Sequence, residues 1–406
     1  MPKLPMKYRN SSPPWPAPKR GKARSHLKRP ASSKGIPKKP AFKPVPYVRD
    51  PKVQKKFRKE RHRYGVSVQG LATMQPRQLL HKLTEDGILP KWAGATCPHC
   101  ATGRLGKLKY FKDRKHWAHR CSHKRCHKFT QPHNFHPIFF GGSGASFTSL
   151  GKQAAVLCCA VAGVPVTATP LILDMDDKAV FRIYEGLEKA RAQHVSQKQK
   201  HIKYGGDDAW CDVEADEVDL AKNIVETSNI AVWEQWGGLV QRGRPDSLSL
   251  FRLKPKNTKK RAPGPGPISR RDWKPIADKV LKNRQVILHT DGARAYKMHI
   301  PGVAHYNVIH KKKKILQGGK YIWVKPHYTK VYKHKLPCGK SVQVKSGTQI
   351  IDRFWQHLRA YLKYASRKVA SPVLIRKIRA AQWTYWHRNQ DGWTALANML
   401  RELRKM

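Results

Sequence analysis

Apolar side chains recur at helical spacing in three parts of the chain. The spacing predicts a short amphipathic helix over about 76–88. Residues 146–200 contain an apolar stretch, a turn with glycine and proline, and a second amphipathic stretch. This is the outline of a helix-turn-helix in which Arg182 would contact DNA, although any helical hairpin shares it. Residues 371–406 begin with Ser371 and a proline, a typical helix start, and are expected to be helical.

Short strands replace this pattern in residues 207–368. One strand alternates apolar and acidic residues from Cys211, and another, Val286 to Leu288, is apolar throughout. Helical stretches follow the strands, and an apolar strand must be covered on both faces. The fold class expected is therefore α/β, with a mixed sheet flanked by helices. The lysine-rich, proline-rich stretch 254–267 is expected to be a loop.

Charge narrows the range of functions. The 406 residues include 82 Lys or Arg and 26 Asp or Glu, a formal net charge of +56. Ordinary metabolic enzymes lack such a charge, which needs a polyanionic partner, and nucleic acid is the first expectation. Residues 1–70 carry 21 Lys or Arg and 12 prolines, so we expect a disordered basic arm that binds phosphates or, alternatively, a solubilising tail. The basic arm indicates that the protein is located in the nucleus, or in the nucleoid or cytoplasm if the source is bacterial.

An uncharged run of 20 residues from Ala154 to Leu173 raises the question of a membrane segment. Pro165 and Pro170 lie inside it and would break a spanning helix. No membrane partner is therefore expected.

Four cysteines have the spacing of a metal site within residues 76–135. They form two close pairs, one at Cys97 and Cys100 and the other at Cys121 and Cys126. This spacing predicts a zinc ribbon that holds Zn²⁺, since each pair can form one knuckle. The second pair is wider than usual, so a nearby histidine, His123 or His127, could replace one thiolate, and unliganded thiols are the alternative. Basic residues between the pairs are expected to bind DNA: Lys107, Lys109, Lys112 and Arg114.

Acidic residues are concentrated where the rest of the chain is basic. Seven of the 26 lie between Asp207 and Asp219, and such clustering favours a divalent metal site. Asp216 ends the alternating strand, which would place it at an edge of the sheet. Asp291 directly follows the apolar strand. Asp352 lies in the first turn of a later helix, where it could instead serve only to stabilise the helix N-terminus. Together these acids could hold two Mg²⁺ or Mn²⁺ ions.

The order of these motifs over residues 76–366 resembles Merlin-type cut-and-paste DNA transposases and their bacterial insertion-sequence relatives. The motifs are CPHC, VEADEV, HTDGARAY, YNVIHKKKK and SGTQIIDRFWQHLR. The resemblance implies a ribonuclease-H-like catalytic domain with Asp216, Asp291 and Asp352 as the catalytic, magnesium-binding acids. It also implies that His310 contacts the bound phosphate and that Gln349 orients DNA. Alternatively, His310 is only a basic surface residue beside the lysines that follow it. The third acid is usually Glu in this family, whereas this chain has Asp.

The function implied is that of a transposase that cleaves and joins DNA strands at transposon ends in a metal-dependent reaction. Its partner would be double-stranded DNA, on which it would act as a homo-oligomer. The aspartate at the third position leaves open a catalytically decayed or domesticated copy that only binds DNA. A basic RNA-binding protein is a third interpretation, but it leaves the acidic cluster unexplained.

Overall fold

The computed structural model describes residues 65–404 except 142–146, 207–209, 311–312, 325, 337–338 and 364. Nearly all of the predicted basic arm and two acids of the acidic stretch, Asp207 and Asp208, therefore lie outside the described residues. The described residues form mixed sheets flanked by helices, so the predicted α/β class is confirmed.

The α-helices lie on both sides of the strand-rich region in sequence, and two lie within it. In chain order they are α1 (Val68–Thr73), α2 (Pro76–Asp86), α3 (Leu150–Ala162), α4 (Thr169–Leu173), α5 (Asp177–Lys198), α6 (Arg270–Val280), α7 (Gln349–Tyr361), α8 (Pro372–Trp386) and α9 (Gly392–Leu403).

The strands belong to one larger sheet and three small ones. They are β1 (Lys109–Phe111), β2 (His116–Arg120), β3 (Phe129–Thr130), β4 (Cys211–Val225), β5 (Ile230–Gln241), β6 (Ser249–Arg252), β7 (Lys256–Lys259), β8 (Val286–Thr290), β9 (Val303–Asn307), β10 (Lys313–Gln317), β11 (Lys320–Val324), β12 (Lys330–Lys335) and β13 (Ser341–Ser346).

Capping residues set the ends of the main helices. The Ser149 hydroxyl accepts a hydrogen bond from the amide of Lys152 at the start of α3, and Gly163 ends that helix with a positive φ of 84°. Asp176 caps α5, and Ser371 caps α8 in the same way. These are the residue types that satisfy the free N–H groups of a helix start and tolerate the left-handed turn at its end.

β4 lies at the centre of the six-stranded sheet, whose order is β6-β5-β4-β8-β9, with β7 also paired to β5. The strands from β4 to β6 pair antiparallel, whereas β8 and β9 run parallel to β4. Every residue of β8 is buried, as its apolar sequence predicts. The carboxyl end of β8 and the middle of β4 therefore lie side by side inside the molecule.

Helices cover both faces of this sheet. The predicted helix-turn-helix segment does not stand apart as a separate module, because α3 and α5 share one hydrophobic core with α7, α8, α9 and one face of the sheet. α3 is buried along most of its length. Arg182 on α5 is exposed, with its guanidinium 4.1 Å from the ring centroid of Phe140. On the opposite face, α6 packs Trp273 against Tyr296 in a second core.

The predicted loop 254–267 contains a strand, β7, and that part of the prediction is wrong. β7 pairs antiparallel with β5, and the indole N–H of Trp233 donates a hydrogen bond of 2.8 Å to the Thr258 hydroxyl. An edge strand is held by backbone pairing, and its lysines can remain in solvent, so its sequence need not look apolar.

None of the helices in the described part of the chain is long and apolar enough to span a membrane. The uncharged run is divided between α3 and α4, and the turn between them contains Pro165.

A glycine lets α7 approach the sheet closely. Gly238 on β5 lies directly opposite Asp216 on β4. A Cβ atom at Gly238 would lie 2.8 Å from the Trp355 ring and 2.9 Å from the Ile351 side chain. Both neighbours are buried residues of α7. The bare backbone at this position therefore sets the distance between the helix and the strand that carries Asp216.

We expect Gly238→Ala to destabilise the protein by about 1–3 kcal/mol, because the new methyl group would push α7 away from the sheet. Urea unfolding followed by tryptophan fluorescence measures the change. Gly237→Ala is the matched control, since its Cβ would meet no atom closer than 3.6 Å. Equal stability of the two variants would show that the close approach of α7 is not required.

Candidate functional site

The three predicted acids occupy different kinds of position. Asp216 lies in the middle of β4, which continues to Val225, and β4 is the central strand, so its predicted place at a strand end and sheet edge is wrong. Strand pairing with β5 extends β4 beyond the region where its sequence alternates. Asp291 directly follows β8, and Asp352 lies in the first turn of α7, both where the sequence places them.

The carboxylates of Asp291 and Asp352 approach Asp216 from these separate segments. Burial raises the pKa of Asp216 well above its usual range, and the charges of Glu217, Asp352 and Asp291 raise it further. Charge interactions of this kind weaken with separation and so require neighbouring groups. Burial is also the main cause of the raised pKa of Asp352. The three aspartates thus belong to one acidic site.

This acidic site is more open than a compact metal cluster. Among the described residues, one group of His, Cys, Asp or Glu has its ligand atoms all within 4.8 Å of one another, and it is a cysteine group rather than the aspartates. A cation shared by all three aspartates would therefore have to draw their side chains closer together.

Neutral groups supply the hydrogen bonds that orient the three aspartates. The indole N–H of Trp355 donates to Asp216 Oδ2 at 3.0 Å, and the Thr348 hydroxyl donates to Asp352 Oδ2 at 3.1 Å. The amide of Ala293 donates to Asp291 Oδ1 at 2.9 Å.

None of the three aspartates forms an ion pair with a Lys or Arg among the described residues. In a chain of net charge +56, these acids thus form no ion pair with a Lys or Arg of the described residues. Their mutual repulsion favours binding of a cation from solution.

His310 and Gln349 lie at the border of the site. The charge of a protonated His310 would lower the pKa of Asp352, which places the imidazole near that carboxylate. The His310 Nε2 atom is buried and has no hydrogen-bond partner in the described part of the chain. Gln349 is exposed as the first residue of α7. The His310 imidazole is therefore placed to meet a ligand bound at Asp352, whereas the role of Gln349 stays a prediction.

Two other acids of the predicted cluster, Asp212 and Glu217, are engaged in structure. Asp212 Oδ1 lies 2.7 Å from Nε2 of the buried His289, whose pKa burial lowers to about 4. Glu217 accepts hydrogen bonds from the Ile268 amide and the Tyr296 hydroxyl, one on each carboxylate oxygen. Acidic clustering in the sequence therefore indicates the right strand, but it does not distinguish Asp216 from its neighbours.

A buried ion pair that sequence reasoning missed positions Asp352. Glu214 on β4 accepts a hydrogen bond of 2.9 Å from Arg242 Nε, and its other oxygen accepts from the amides of Ile350 and Ile351. These amides are free N–H groups at the start of α7, which attract a carboxylate. Glu214 therefore attaches the first turn of α7, with Asp352, to the central strand.

Arg242 completes this connection. Its terminal nitrogens donate to the backbone carbonyls of Lys345 at 2.6 Å and Gly347 at 2.8 Å, in the chain just before α7. The signal available in the sequence is the position of Glu214 two residues before Asp216, on the same side of an alternating strand.

The four cysteines form a separate candidate metal centre. Cys97 Sγ lies 3.9 Å from Cys126 Sγ, and Cys100 Sγ lies 3.7 Å from Cys121 Sγ. All four sulfurs lie within 4.8 Å of one another, and neither His123 nor His127 belongs to the group. Tetrahedral zinc with Zn–S bonds of about 2.3 Å requires sulfurs about 3.8 Å apart. The cluster could therefore hold a metal such as zinc.

Backbone and hydroxyl donors surround these sulfurs. Hydrogen bonds from Thr102 and Gly103 lower the pKa of Cys100 to about 5. Burial raises the pKa of Cys121 to about 12. A bound cation would favour the thiolate form of all four cysteines.

The small sheet β1-β2-β3 and the chain beside it carry the basic residues predicted to bind DNA. All four of them are exposed: Lys107, Lys109, Lys112 and Arg114. The Arg114 guanidinium lies 4.2 Å from the Phe129 ring centroid. The four side chains are thus accessible to a polyanion.

We expect Glu214→Gln to lower the free energy of unfolding by about 3–5 kcal/mol, because it removes the buried charge that binds Arg242 Nε and the first amides of α7. Urea unfolding measures the change. Asp246→Asn is the control, since its pair with Arg244 is exposed and should change stability by less than about 0.5 kcal/mol. Equal effects of the two substitutions would contradict the positioning role of Glu214.

We expect the purified chain to contain about one equivalent of zinc, bound by the four cysteines. Cys97→Ser should lose the zinc, because three thiolates bind it more weakly than four. Cys211→Ser should retain it, since Cys211 lies outside the cluster. Elemental analysis measures the content, and wild-type protein without zinc after metal-supplemented expression would contradict the assignment.

Comparisons with known proteins identified no relative of this chain. No protein-family model, no curated protein and no solved structure matches the chain. The resemblance to transposases therefore rests on the residues themselves.

Proposed function

We propose that this protein is a DNA transposase that cleaves and joins DNA strands at transposon ends in a reaction that depends on Mg²⁺ or Mn²⁺. One observation carries the proposal: Asp216, Asp291 and Asp352 converge from three segments and form no ion pair with a described Lys or Arg. A structural role for acids in so basic a chain would be expected to pair them with cations.

The arrangement of the sheet supports the same conclusion. A three-stranded antiparallel unit, β4 to β6, is extended by two strands parallel to β4, and helices cover both faces. The ribonuclease-H-like fold implied by the resemblance is a mixed sheet of this kind. This sheet carries Asp216 in the middle of β4 and Asp291 just after β8, and α7 carries Asp352.

The donor set fits a hard divalent cation, because carboxylate oxygens are the ligands that Mg²⁺ prefers. Asp216, Asp291 and Asp352 would hold it. When bound, such ions activate the attacking hydroxyl and stabilise the leaving oxygen of a phosphodiester. The chain's own contribution is to orient the acids through Trp355 and Thr348 and to present His310 beside the third acid.

DNA would be bound by the basic surfaces outside the acidic site. The lysines and arginine at the β1-β2-β3 sheet, with zinc in the cysteine cluster, would contact phosphates, and Arg182 and Gln349 would add contacts. A homo-oligomer would bring two transposon ends together, and the site of action would be the nucleus or a bacterial nucleoid.

The second candidate is a protein that binds DNA but has lost catalysis. Asp352 favours it, since the transposases that the chain resembles usually have the longer Glu at this position. Asp is one methylene shorter than Glu. The carboxylate oxygens of the three aspartates are also not all within 4.8 Å of one another, as the sulfurs of the cysteine cluster are.

Nicking of a supercoiled plasmid tests the proposal. The plasmid would carry the DNA that flanks the protein's own coding sequence, with Mg²⁺ or Mn²⁺ present. We expect Asp216→Asn to reduce nicking at least ~100-fold with unchanged DNA affinity, because Asn still accepts the Trp355 hydrogen bond but brings no charge for the metal. Asp246→Asn is the control. Equal nicking by wild type and Asp216→Asn would contradict carboxylate catalysis.

Thermal unfolding across pH separates the two candidates. The pKa of Asp216 is raised on folding, so its charge costs stability once pH rises above the unfolded pKa of about 3.9. Without metal, Asp216→Asn should therefore be more stable than wild type at pH 8, and the difference should vanish near pH 4. Mn²⁺ should raise the unfolding temperature of wild type at pH 8 and leave Asp216→Asn unchanged. DNA binding without any Mn²⁺ effect or nicking would favour the second candidate.

A further inference from the structure

The hairpin of β10 and β11 exposes large apolar side chains. In the described part of the chain these two strands pair only with each other. Tyr321 and Trp323 are each 65% exposed, and Leu316 is 61% exposed. A soluble protein rarely leaves such a group of side chains in water without a binding partner.

The exposed aromatics share one face of the hairpin with a lysine. Leu316 is paired with Tyr321, and Lys314 is paired with Trp323, so all four side chains project from the same face. The ammonium of Lys314 lies 4.7 Å from the Tyr321 ring centroid. This outer face thus combines flat aromatic rings with positive charge.

The inner face of the same hairpin borders a cavity of about 650 Å³. Ile315 and Val324 line it from the hairpin, and residues 307–309 line it from the other side. His310 follows this segment directly, and Asn307 pairs with Thr290, the residue before Asp291. The wall of the cavity opposite the hairpin is therefore continuous with the segments that carry Asp291 and His310.

Charge excludes a second copy of the chain, or its basic arm, as the preferred occupant of the outer face. Residues 292–351 contain 13 Lys or Arg and no Asp or Glu. The arm, residues 1–70, has 21 Lys or Arg. Like charges of this density repel, so the occupant must be strongly anionic.

Exposed aromatic rings favour a polyanion whose own flat groups are accessible for stacking. Duplex DNA buries the faces of its bases in the stack, whereas an unpaired strand exposes them. Stacking of a base on an aromatic side chain contributes about 1–3 kcal/mol, and lysines beside the rings can contact the phosphates.

We propose that the β10–β11 hairpin binds unpaired nucleotides of a DNA strand by stacking bases on Trp323 and Tyr321, with Lys314 on the phosphates. The inference deepens the proposed function, on which it rests: the strand held by the hairpin would be the one presented to the aspartates. The substrate class is then DNA that is locally melted beside the reacting phosphate.

Fluorescence anisotropy with the full chain tests this binding. The probes are a labelled single-stranded DNA of about 16 nucleotides, the corresponding duplex and a single-stranded RNA, at about 0.15 M salt with EDTA. We expect the double substitution Tyr321→Ala and Trp323→Ala to weaken single-stranded DNA binding by about 10-fold or more and duplex binding by less than about 2-fold. Trp323→Phe should restore most of the affinity.

Phe147→Ala is the matched control, because Phe147 is an aromatic residue of nearly the same exposure, 66%, outside the hairpin. It should leave all three affinities unchanged. Unchanged single-stranded DNA binding by the double variant would overturn the proposal, as would an equal loss on duplex. Tighter binding of the RNA by wild type would overturn the assignment to DNA.

Failure of this inference and failure of the proposed function can be told apart, because the binding assay contains no divalent metal. Asp246→Asn, at an exposed surface pair, should bind single-stranded DNA as wild type does. Hairpin-dependent binding without nicking would contradict the transposase proposal alone. Nicking that is insensitive to the double substitution, with unchanged strand binding, would contradict the hairpin alone.

Discussion

The buried ion pair between Glu214 and Arg242 is the interaction on which the acidic site depends. Two charges are drawn out of water there, and the cost is partly offset because both oxygens of Glu214 and the terminal nitrogens of Arg242 find partners. The partners are backbone groups just before and at the start of α7. A sheet strand and a helix more than 100 residues apart in sequence are thereby held in one orientation, and Asp352 is brought toward Asp216.

The attachment of α7 to β4 is accompanied by close packing between that helix and the sheet. Gly238 leaves room for Trp355, whose indole N–H then reaches Asp216. Basic residues are concentrated elsewhere, on the cysteine-bearing sheet and on the segment between the second and third aspartates. The molecule thus combines a widely distributed positive surface with one acidic site whose three aspartates form no ion pair with a described Lys or Arg. A polyanion bound to the surface and a small cation bound to the site would each offset part of this imbalance.

Features encoded locally can be predicted from the sequence, and features that depend on tertiary contacts cannot. The cysteine cluster follows from spacing and metal chemistry, and Asp291 follows from a short apolar strand and the glycine after it. The position of Asp216 within β4 escapes prediction because antiparallel pairing with β5, rather than side-chain alternation, sets the strand's length. β7 escapes it because backbone pairing holds an edge strand whatever its charge. The pairing of Glu214 with Arg242 could not be predicted, because the two residues are 28 positions apart and no local pattern links them.

Diffraction from crystals of the full chain soaked in Mn²⁺ tests metal binding by the three aspartates most directly, since the anomalous signal identifies the ion. We expect a peak within about 2–2.5 Å of carboxylate oxygens of Asp216, Asp291 and Asp352. Absence of a peak there at saturating Mn²⁺, with the aspartates paired to lysine or arginine side chains instead, would contradict a metal-binding role for these residues.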